Sequence, residues 1–386
     1  MLAWSTPHEL TKQQREIQKL CVRFAEEQIR PIAATIDEQD GPMPRELWNL
    51  ASELGITSFM LPEQYGGGGF SDATTAVVVS ESLCYACAGI GSLLTSSGFF
   101  ADPVLILGNE EQRQRWITPL CGPTPPLSAL ANTEPGAGSD AASITTHAQR
   151  VDGGYLVNGQ KSWISNAPDA EYFVVFTTVA PGTRSKGITA FVVERNDPGL
   201  TVGPPMKKMG QRANPAAELF FKDLFLPDDR RLGEEGQGFA GMMGTFDRSR
   251  VALAAAETAI AKAALDYALD YAKQREQFGR KITEFQAVSF RLADMAVKVE
   301  ASRLMTWNAA RLIDSGQRAS TEAAMAKLHA SETAMYCTWA AMQTLGGWAY
   351  SRDYPVEKWL RDAKLEELWE GTSDIQRLII SRGILT

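Results

Sequence analysis

The feature that most constrains the fold is a change of hydrophobic period inside the chain. Apolar residues recur at helical spacing up to about Leu120 and again after Gly236, but the stretch between them lacks that spacing. There, apolar runs such as 172–178 and 219–226 are separated by turn pairs such as Asn158-Gly159. Strands joined by short polar turns predict an antiparallel sheet or barrel and argue against βαβ units.

We therefore predict an α+β chain of several domains. An N-terminal α-helical domain is expected over residues 1–120, a middle antiparallel β-barrel or sandwich over 121–230, and a C-terminal helical bundle domain over 231–386. Ala and Leu dominate residues 251–272 and 323–345, where some helices are apolar nearly all round. Such helices are typical of the interior of an oligomer.

Composition and charge narrow the class of protein. The 386 residues carry a net charge of −8 without a Lys/Arg block, which argues against nucleic acid as a partner. We found no run as long as a membrane span, and residues 1–12 lack the features of a signal or transit peptide, so we expect a cytoplasmic protein. Cys84 and Cys87 are predicted to be packing residues. The three widely spaced histidines argue against a metal centre.

The segment 368–376 joins two helical patterns. Gly371 interrupts the apolar spacing, and Thr372 or Ser373 can cap the helix that follows. Ser373 and Gln376 also have the spacing of a capping box.

Glu370 projects from this corner between large apolar neighbours. Leu368 and Trp369 precede it directly, and desolvation beside such groups raises the pKa of a carboxyl toward that of a general base. The alternative on local sequence alone is a solvated loop acid.

A glycine-rich loop is the strongest signal of the middle region. Residues 136–141 match the loose dinucleotide pattern G-x-G-x-x-A, but strands follow where a Rossmann fold needs a helix, so a Rossmann NAD oxidoreductase is disfavoured. The loop can still bind a ligand through its backbone amides and the hydroxyls of Thr133 and Ser139. Downstream, Trp163 and Ser165 would share one face of a regular strand, where a flat cofactor could stack and accept a hydrogen bond. The alternative is a Trp in the barrel core.

Charged and glycine-containing segments lie within and between the predicted C-terminal helices. Asp247 and Arg250 lie three residues apart, so they either face one ligand or pair with each other. The segment 275–279 and Gln286 separate two helices, and the glycines of 343–347 allow a close backbone approach.

Together these segments resemble the acyl-CoA dehydrogenase family of flavoproteins over essentially the whole chain. The resemblance is carried by T-E-P-G-A-G-S-D at 133–140, N-G-x-K-x-W-I-S at 158–165, R-x-Q-F-G at 275–279, Q-x-x-G-G at 343–347 and E-G-T-x-x-I-Q at 370–376. It implies a helical domain, a β-barrel and a four-helix bundle, assembled as a homotetramer that is a dimer of dimers. It also implies FAD between barrel and bundle, with the adenine half reaching a neighbouring subunit.

The resemblance further implies roles for individual residues. The cofactor-binding residues of the middle region are Ala131, Thr133, Gly138, Ser139, Trp163 and Ser165. Those that reach FAD across the subunit interface are Arg275, Phe278, Gln286, Gln343, Gly346 and Gly347. Those near its phosphates and adenine side are Thr372 and Asp374. The substrate set lies along the CoA portion and beside the reacting carbons: Ser139, Asp247, Arg250, Trp369 and Gly371. Trp369 stands where many members have Tyr, a departure expected to reshape the acyl pocket.

The implied reaction is the α,β-dehydrogenation of an acyl-CoA to a trans-2-enoyl-CoA. Glu370 would take the α-proton, the β-hydride would pass to flavin N5, and an electron-transfer flavoprotein would accept the electrons. The alternatives are the same site working as an enoyl-CoA reductase or an acyl-CoA oxidase, and a non-catalytic flavin or acyl-CoA binding scaffold.

The sequence says less about the acyl group. No charged residue lies between Tyr85 and Phe100, which disfavours short dicarboxylyl substrates. Phe99 and Phe100 either shorten the pocket or belong to the core.

Overall fold

The N-terminal region of the computed structural model, which describes residues 9–385, is helical. Its helices are α1 Lys12–Phe24, α2 Ala33–Gln39, α3 Arg45–Glu53, α4 Ala73–Cys84, α5 Ala88–Leu94, α6 Ser97–Leu107 and α7 Glu110–Ile117. Side chains at the helix starts explain several boundaries. Thr11 and Asn109 form capping boxes with the residues three positions on, and Asp72 accepts a hydrogen bond from the amide of Thr75 at 2.7 Å.

The helices α5 and α6 correct one expectation about membranes. An 18-residue window within Ala88–Leu107 has a mean hydropathy of 1.5, so the sequence does contain a run long and apolar enough to cross a bilayer. In the structure this run is divided between two helices, and 61% of its most apolar window is buried inside the fold. The segment therefore serves as core packing here.

The middle region is one sheet of eight strands. They are β1 Leu127–Ala131, β2 His147–Val151, β3 Gly154–Ser165, β4 Ala170–Thr178, β5 Ile188–Glu194, β6 Leu200–Val202, β7 Ala216–Pro227 and β8 Arg231–Leu232. The order is β6-β7-β3-β2-β4-β5-β8, with β1 beside β4. Most neighbours are antiparallel, as predicted, but β4 pairs in parallel with β1 and, at one position, with β2. The β2–β3 hairpin lies between β1 and β4, and β3 lies between β2 and β4, so the chain is long enough for both parallel pairings. The prediction from short turns did not include such crossovers.

The C-terminal region is a bundle around one long helix. Its elements are α8 Gly238–Gln274, the hairpin strands β9 Glu276–Gln277 and β10 Arg280–Lys281, and then α9 Gln286–Asp314, α10 Ser320–Leu345, α11 Val356–Glu366 and α12 Ser373–Leu385. Helices α8 and α10 pack against each other, and buried alanines of both, such as Ala261, Ala264 and Ala341, belong to one core cluster.

A buried ion pair fixes α4 against this bundle. Arg303 donates to Glu81 at 2.9 Å and 3.0 Å, and the indole of Trp307 donates to the same carboxylate at 3.0 Å. Burial raises the pKa of Glu81, and the charge of Arg303 opposes that rise. The pair holds α4 beside α8 and α9, and α4 thereby forms one wall of the cavity described next.

Candidate active site

The turn between α11 and α12 has an unusual backbone. Glu370 has φ 49° and Gly371 has φ 90°, both in the left-handed region. The hydroxyl of Thr372 accepts a hydrogen bond from the amide of Ile375 at 3.4 Å, so Thr372 supplies the predicted cap. The predicted box between Ser373 and Gln376 does not form. The side-chain amide of Gln376 instead donates to the carbonyls of Glu370 and Gly371, at 3.2 Å and 2.8 Å.

A lysine from another helix holds the same corner. The Nζ atom of Lys327, on α10, donates to the carbonyl oxygens of Glu366 at 2.6 Å and Gly371 at 3.1 Å. Lys327 is fully buried. Sequence reasoning missed it because no local pattern links it to a turn more than 40 residues away.

The carboxylate of Glu370 points into the protein and contacts α8. The hydroxyl of Ser249 donates to its Oε2 atom. Burial raises the pKa of Glu370, while the Ser249 hydrogen bond and the positive charges of Arg250 and Lys327 oppose the rise. Glu370 is thus not the solvated loop acid of the alternative reading.

Glu370 and Trp369 line a narrow cavity between α4, α5, α6 and α8. The space open to the centre of a water molecule is about 70 Å³. Phe99 lines this cavity and can therefore shorten the pocket. Phe100 is fully buried and belongs to the core.

The cavity wall is more polar than the sequence predicted. Asp102 and Arg248 also line it, and their charged groups lie 3.9 Å apart. Both lie outside residues 85–100, the stretch without charged residues on which the expectation rested. Only the fold brings these two residues to the cavity, because Asp102 lies at the middle of α6 and Arg248 lies on α8 directly before Ser249.

The backbone of the corner offers a free donor. Among residues 9–385, the amide N–H of Glu370 donates a hydrogen bond to no protein acceptor. An orphan N–H beside a carboxylate in a cavity can donate to a polarised carbonyl oxygen of a ligand.

The glycine-rich loop is anchored by a second buried ion pair. Lys161 Nζ lies 2.8 Å from an oxygen of Glu134, which also accepts from the amides of Thr145 and Thr146. Burial alone would raise the pKa of Glu134, but Lys161 and these donors outweigh it and lower the pKa to about 2. The amide of Ser162 donates to the carbonyl of Thr133 at 2.9 Å, so the structure brings the loop beside the strand that carries Trp163.

The strand around Trp163 is irregular. Trp163 has φ 60°, and the pairing of β3 with β7 shifts register between Lys161 and Ile164. The expectation that Trp163 and Ser165 share a face rested on a regular strand and therefore does not apply. The indole is 60% exposed, so the alternative of a Trp in the barrel core is wrong.

A separate, open cleft lies at the ends of α8 and α10. Its volume is about 550 Å³, and Arg275, Gly346 and Gly347 line it together with Trp348. Phe278, at the tip of the β9–β10 hairpin, is 93% exposed. Other predicted members at this end of the bundle are also exposed, namely Gln286 and Gln343.

The remaining predicted residues are dispersed. Ala131 is buried at the end of β1, Gly138 and Ser139 are exposed in the loop, and Asp374 is exposed in the first turn of α12. Asp247 and Arg250 pair with each other, with 2.6 Å between Oδ1 and Nη1.

Profiles of three domains of one family match this chain in order. "Acyl-CoA dehydrogenase, N-terminal domain" matches residues 11–123, the middle domain matches 129–224 and the C-terminal domain matches 236–385. The chain belongs to the acyl-CoA dehydrogenase family. It is 41% identical over 379 residues to an acyl-CoA dehydrogenase of Bacillus subtilis (strain 168), a match that covers 97% of this chain and 99% of the relative.

Solved structures agree with the family assignment. Butyryl-CoA dehydrogenase from Megasphaera elsdenii is 36% identical with a TM-score of 0.94, covering 99% of this chain and 100% of that one. The FAD complex of PigA is 32% identical with a TM-score of 0.93, covering 98% and 99%. The chain is an FAD-dependent oxidoreductase of this family.

The residues present fit FAD. Trp163 offers an exposed indole for stacking, and Arg275 offers an exposed guanidinium beside an open cleft. A Cβ built on Gly346 or Gly347 would meet nothing within 4 Å, so their backbones are open to a close approach.

Proposed function

We propose that this enzyme removes the α-proton and the β-hydride of an acyl-CoA thioester, with Glu370 as the base, and yields a trans-2-enoyl-CoA. The observation that carries the proposal is the geometry of Glu370, whose carboxylate lines the cavity while its own N–H has no acceptor in residues 9–385. A base and an oxyanion donor from one residue are what enolate-like chemistry requires.

In this mechanism Glu370 acts twice. Its amide N–H donates to the thioester oxygen, so the charge that develops as the α C–H bond breaks is stabilised. Its carboxylate takes the α-proton, and the electron pair of that bond becomes the new C=C bond as the β-hydride leaves. FAD, when bound, supplies the hydride acceptor at flavin N5.

The corner is built to keep the carboxylate ready for this step. Burial raises the pKa of Glu370 and so makes the carboxylate a stronger base, while Ser249 fixes one of its oxygens. Among residues 9–385, no hydrogen-bond donor contacts its other oxygen, which can therefore face the substrate. Thr133, Trp163 and Ser165 would hold the isoalloxazine of FAD. Thr372 and Asp374 would contact FAD near its phosphates and its adenine side.

A short acyl chain is the substrate that the cavity favours. The space beside Glu370 is small, and Phe99 and Trp369 narrow it. The related enzyme from Megasphaera elsdenii acts on butyryl-CoA, whose acyl group has four carbons.

The remaining parts of the proposal are partners and assembly. Exposed apolar side chains on the bundle, including Phe290, Val297 and Leu304 of α9, favour a homotetramer, in which Arg275, Phe278, Gln286, Gln343, Gly346 and Gly347 would reach FAD of a neighbour. We further propose the cytoplasm as its location and an electron-transfer flavoprotein as the acceptor, in the dehydrogenase direction.

The test is the absorbance of the purified protein under anaerobic conditions. Acyl-CoAs from four to sixteen carbons, straight and branched, should bleach the yellow flavin band, fastest for the short chains. Bleaching by no acyl-CoA would reject the proposal. Reoxidation of the bleached protein by oxygen as fast as by an electron-transfer flavoprotein would favour the oxidase alternative.

A further inference from the structure

We propose that Glu366 is a positioning residue for acyl-chain selectivity, because its carboxylate fixes the indole of Trp369 as one wall of the acyl cavity. The inference rests on the proposed function, which makes that cavity the acyl site. Neither Glu366 nor the residue that anchors it from the middle domain was a candidate on sequence grounds.

The indole is held by a direct hydrogen bond. Trp369 Nε1 donates to Glu366 Oε2 at 2.8 Å, while Trp369 lines the cavity next to Glu370. Glu366 itself is fully buried and is not part of the cavity wall. Its effect on a ligand therefore has to pass through the ring that it holds.

The other carboxylate oxygen is held from a different domain. Gln211, in the loop before β7, donates from Nε2 to Glu366 Oε1 at 2.6 Å. Gln211 is 1% exposed, and its backbone amide donates to Asp362 Oδ1 at 2.5 Å. Lys327 holds the carbonyl oxygen of the same Glu366 at 2.6 Å. Both oxygens and the backbone of Glu366 are thus fixed, which leaves the carboxylate one orientation.

This arrangement costs free energy that an apolar residue would not. Burial raises the pKa of Glu366, while the donors Trp369 and Gln211 and the positive charge of Lys327 favour the carboxylate and oppose that rise. An apolar residue at 366 would leave the indole N–H and the Gln211 amide as buried donors without an acceptor. The Glu366 carboxyl group therefore allows Trp369, whose indole carries an N–H donor, to form the cavity wall.

The Glu366→Gln variant isolates this role. Both neighbours of the carboxylate are donors, and an amide presents one oxygen and one NH₂ group, so one of the two hydrogen bonds is lost. A wall that shifts by the size of a methylene changes discrimination by roughly 10- to 200-fold. We expect the ratio of kcat/KM for butyryl-CoA and isobutyryl-CoA to change by about tenfold or more, with FAD content unchanged.

The experiment uses the holoenzyme and a double-mutant cycle. Wild type, Glu366→Gln, Trp369→Phe and the double variant are compared, with Glu367→Gln as a matched control. Glu367 is the adjacent acid, and it pairs with Lys364 at 2.6 Å rather than with the indole. Glu366→Gln should change the ratio in the Trp369 protein and have no effect in the Trp369→Phe background, while the control keeps the wild-type ratio.

Three results would overturn the inference. These are an unchanged ratio in Glu366→Gln, an equal change in both backgrounds, and an equal change in Glu367→Gln. If Glu366→Gln does not fold, replacement of Trp369 with 3-benzothienylalanine removes the donor and keeps the two-ring shape. The ratio should then change as well, and an unchanged ratio would reject the role of the hydrogen bond.

Failure of the inference is distinct from failure of the proposed function. A wild-type protein whose flavin is bleached by no acyl-CoA rejects the function itself. A wild-type protein that is bleached, with a ratio that Glu366→Gln leaves unchanged, rejects only the positioning role.

Discussion

The cavity at Glu370 and the cleft at Arg275 differ in how much of each a single chain supplies. The cavity is narrow, and helices from the N-terminal and C-terminal regions close around it. The cleft, of about 550 Å³, faces solvent with its aromatic neighbours uncovered, Phe278 at 93% exposure and Trp348 at 53%. One chain supplies Glu370, the proposed base, together with its hydrogen bonds, whereas we expect the cleft to be completed by a second copy and by FAD.

From this difference we infer that proton transfer and FAD retention depend on different contacts. Substitutions at the corner should abolish chemistry and leave assembly intact. Substitutions at the cleft should weaken FAD binding and assembly together and leave the base unaffected.

Glu370→Gln should give the largest effect. An amide accepts no proton, so flavin reduction by acyl-CoA should fall by roughly three orders of magnitude or more. Anaerobic stopped-flow absorbance measures the rate, and flavin content and gel filtration should match wild type. Reduction at a rate near wild type would show that another residue is the base. Loss of FAD would contradict the inference that the corner and the cleft act independently.

Arg275→Ala should act on the other site. A guanidinium on a phosphate is a charge-assisted contact, and losing it should cost about 1.5–3 kcal/mol, or roughly 10- to 150-fold in FAD affinity. Flavin content and oligomeric state are measured on one sample after dilution, with Lys273→Ala, an exposed cation in the last turn of α8, as control. If the variant keeps the wild-type flavin content and oligomeric state, Arg275 is not part of the FAD site.

Ser249→Ala should give the smallest effect, and at the corner alone. The Ser249 hydroxyl stabilises the charged carboxylate, so its loss raises the pKa of Glu370 further. The acid limb of the pH–rate profile of flavin reduction should therefore move to higher pH. Ser80→Ala removes another hydroxyl from the cavity wall and should leave the profile unchanged. A shift to lower pH would contradict the assigned hydrogen bond.

Sequence predicted the parts of the site that lie within short, contiguous segments. The turn at 370–372, the cap at Thr372 and the loop at 133–140 are local, because helix caps and glycine positions follow from neighbouring residues. The α–β–α order follows from hydrophobic period alone.

What sequence missed depends on contacts between distant residues. Ser249, Lys327 and Gln211 reach the corner from three different elements, and nothing local marks them. The bulge at Trp163 was missed for a related reason. A positive φ in a non-glycine residue is imposed by the pairing of β3 with β7, which strand alternation does not encode. The boundaries at 120/121 and 230/231 stay predictions.

The left-handed backbone at Glu370 has an evolutionary consequence. A side chain in that conformation costs roughly 1–2 kcal/mol relative to glycine, and a buried carboxyl with a raised pKa loses further stability as the pH rises through that pKa. Glu370→Gly should therefore melt at a higher temperature than wild type while it loses its base. In a lineage no longer selected for turnover, the single substitution Glu370→Gly would keep the fold and the flavin. Such a descendant would be a folded, inactive binding protein.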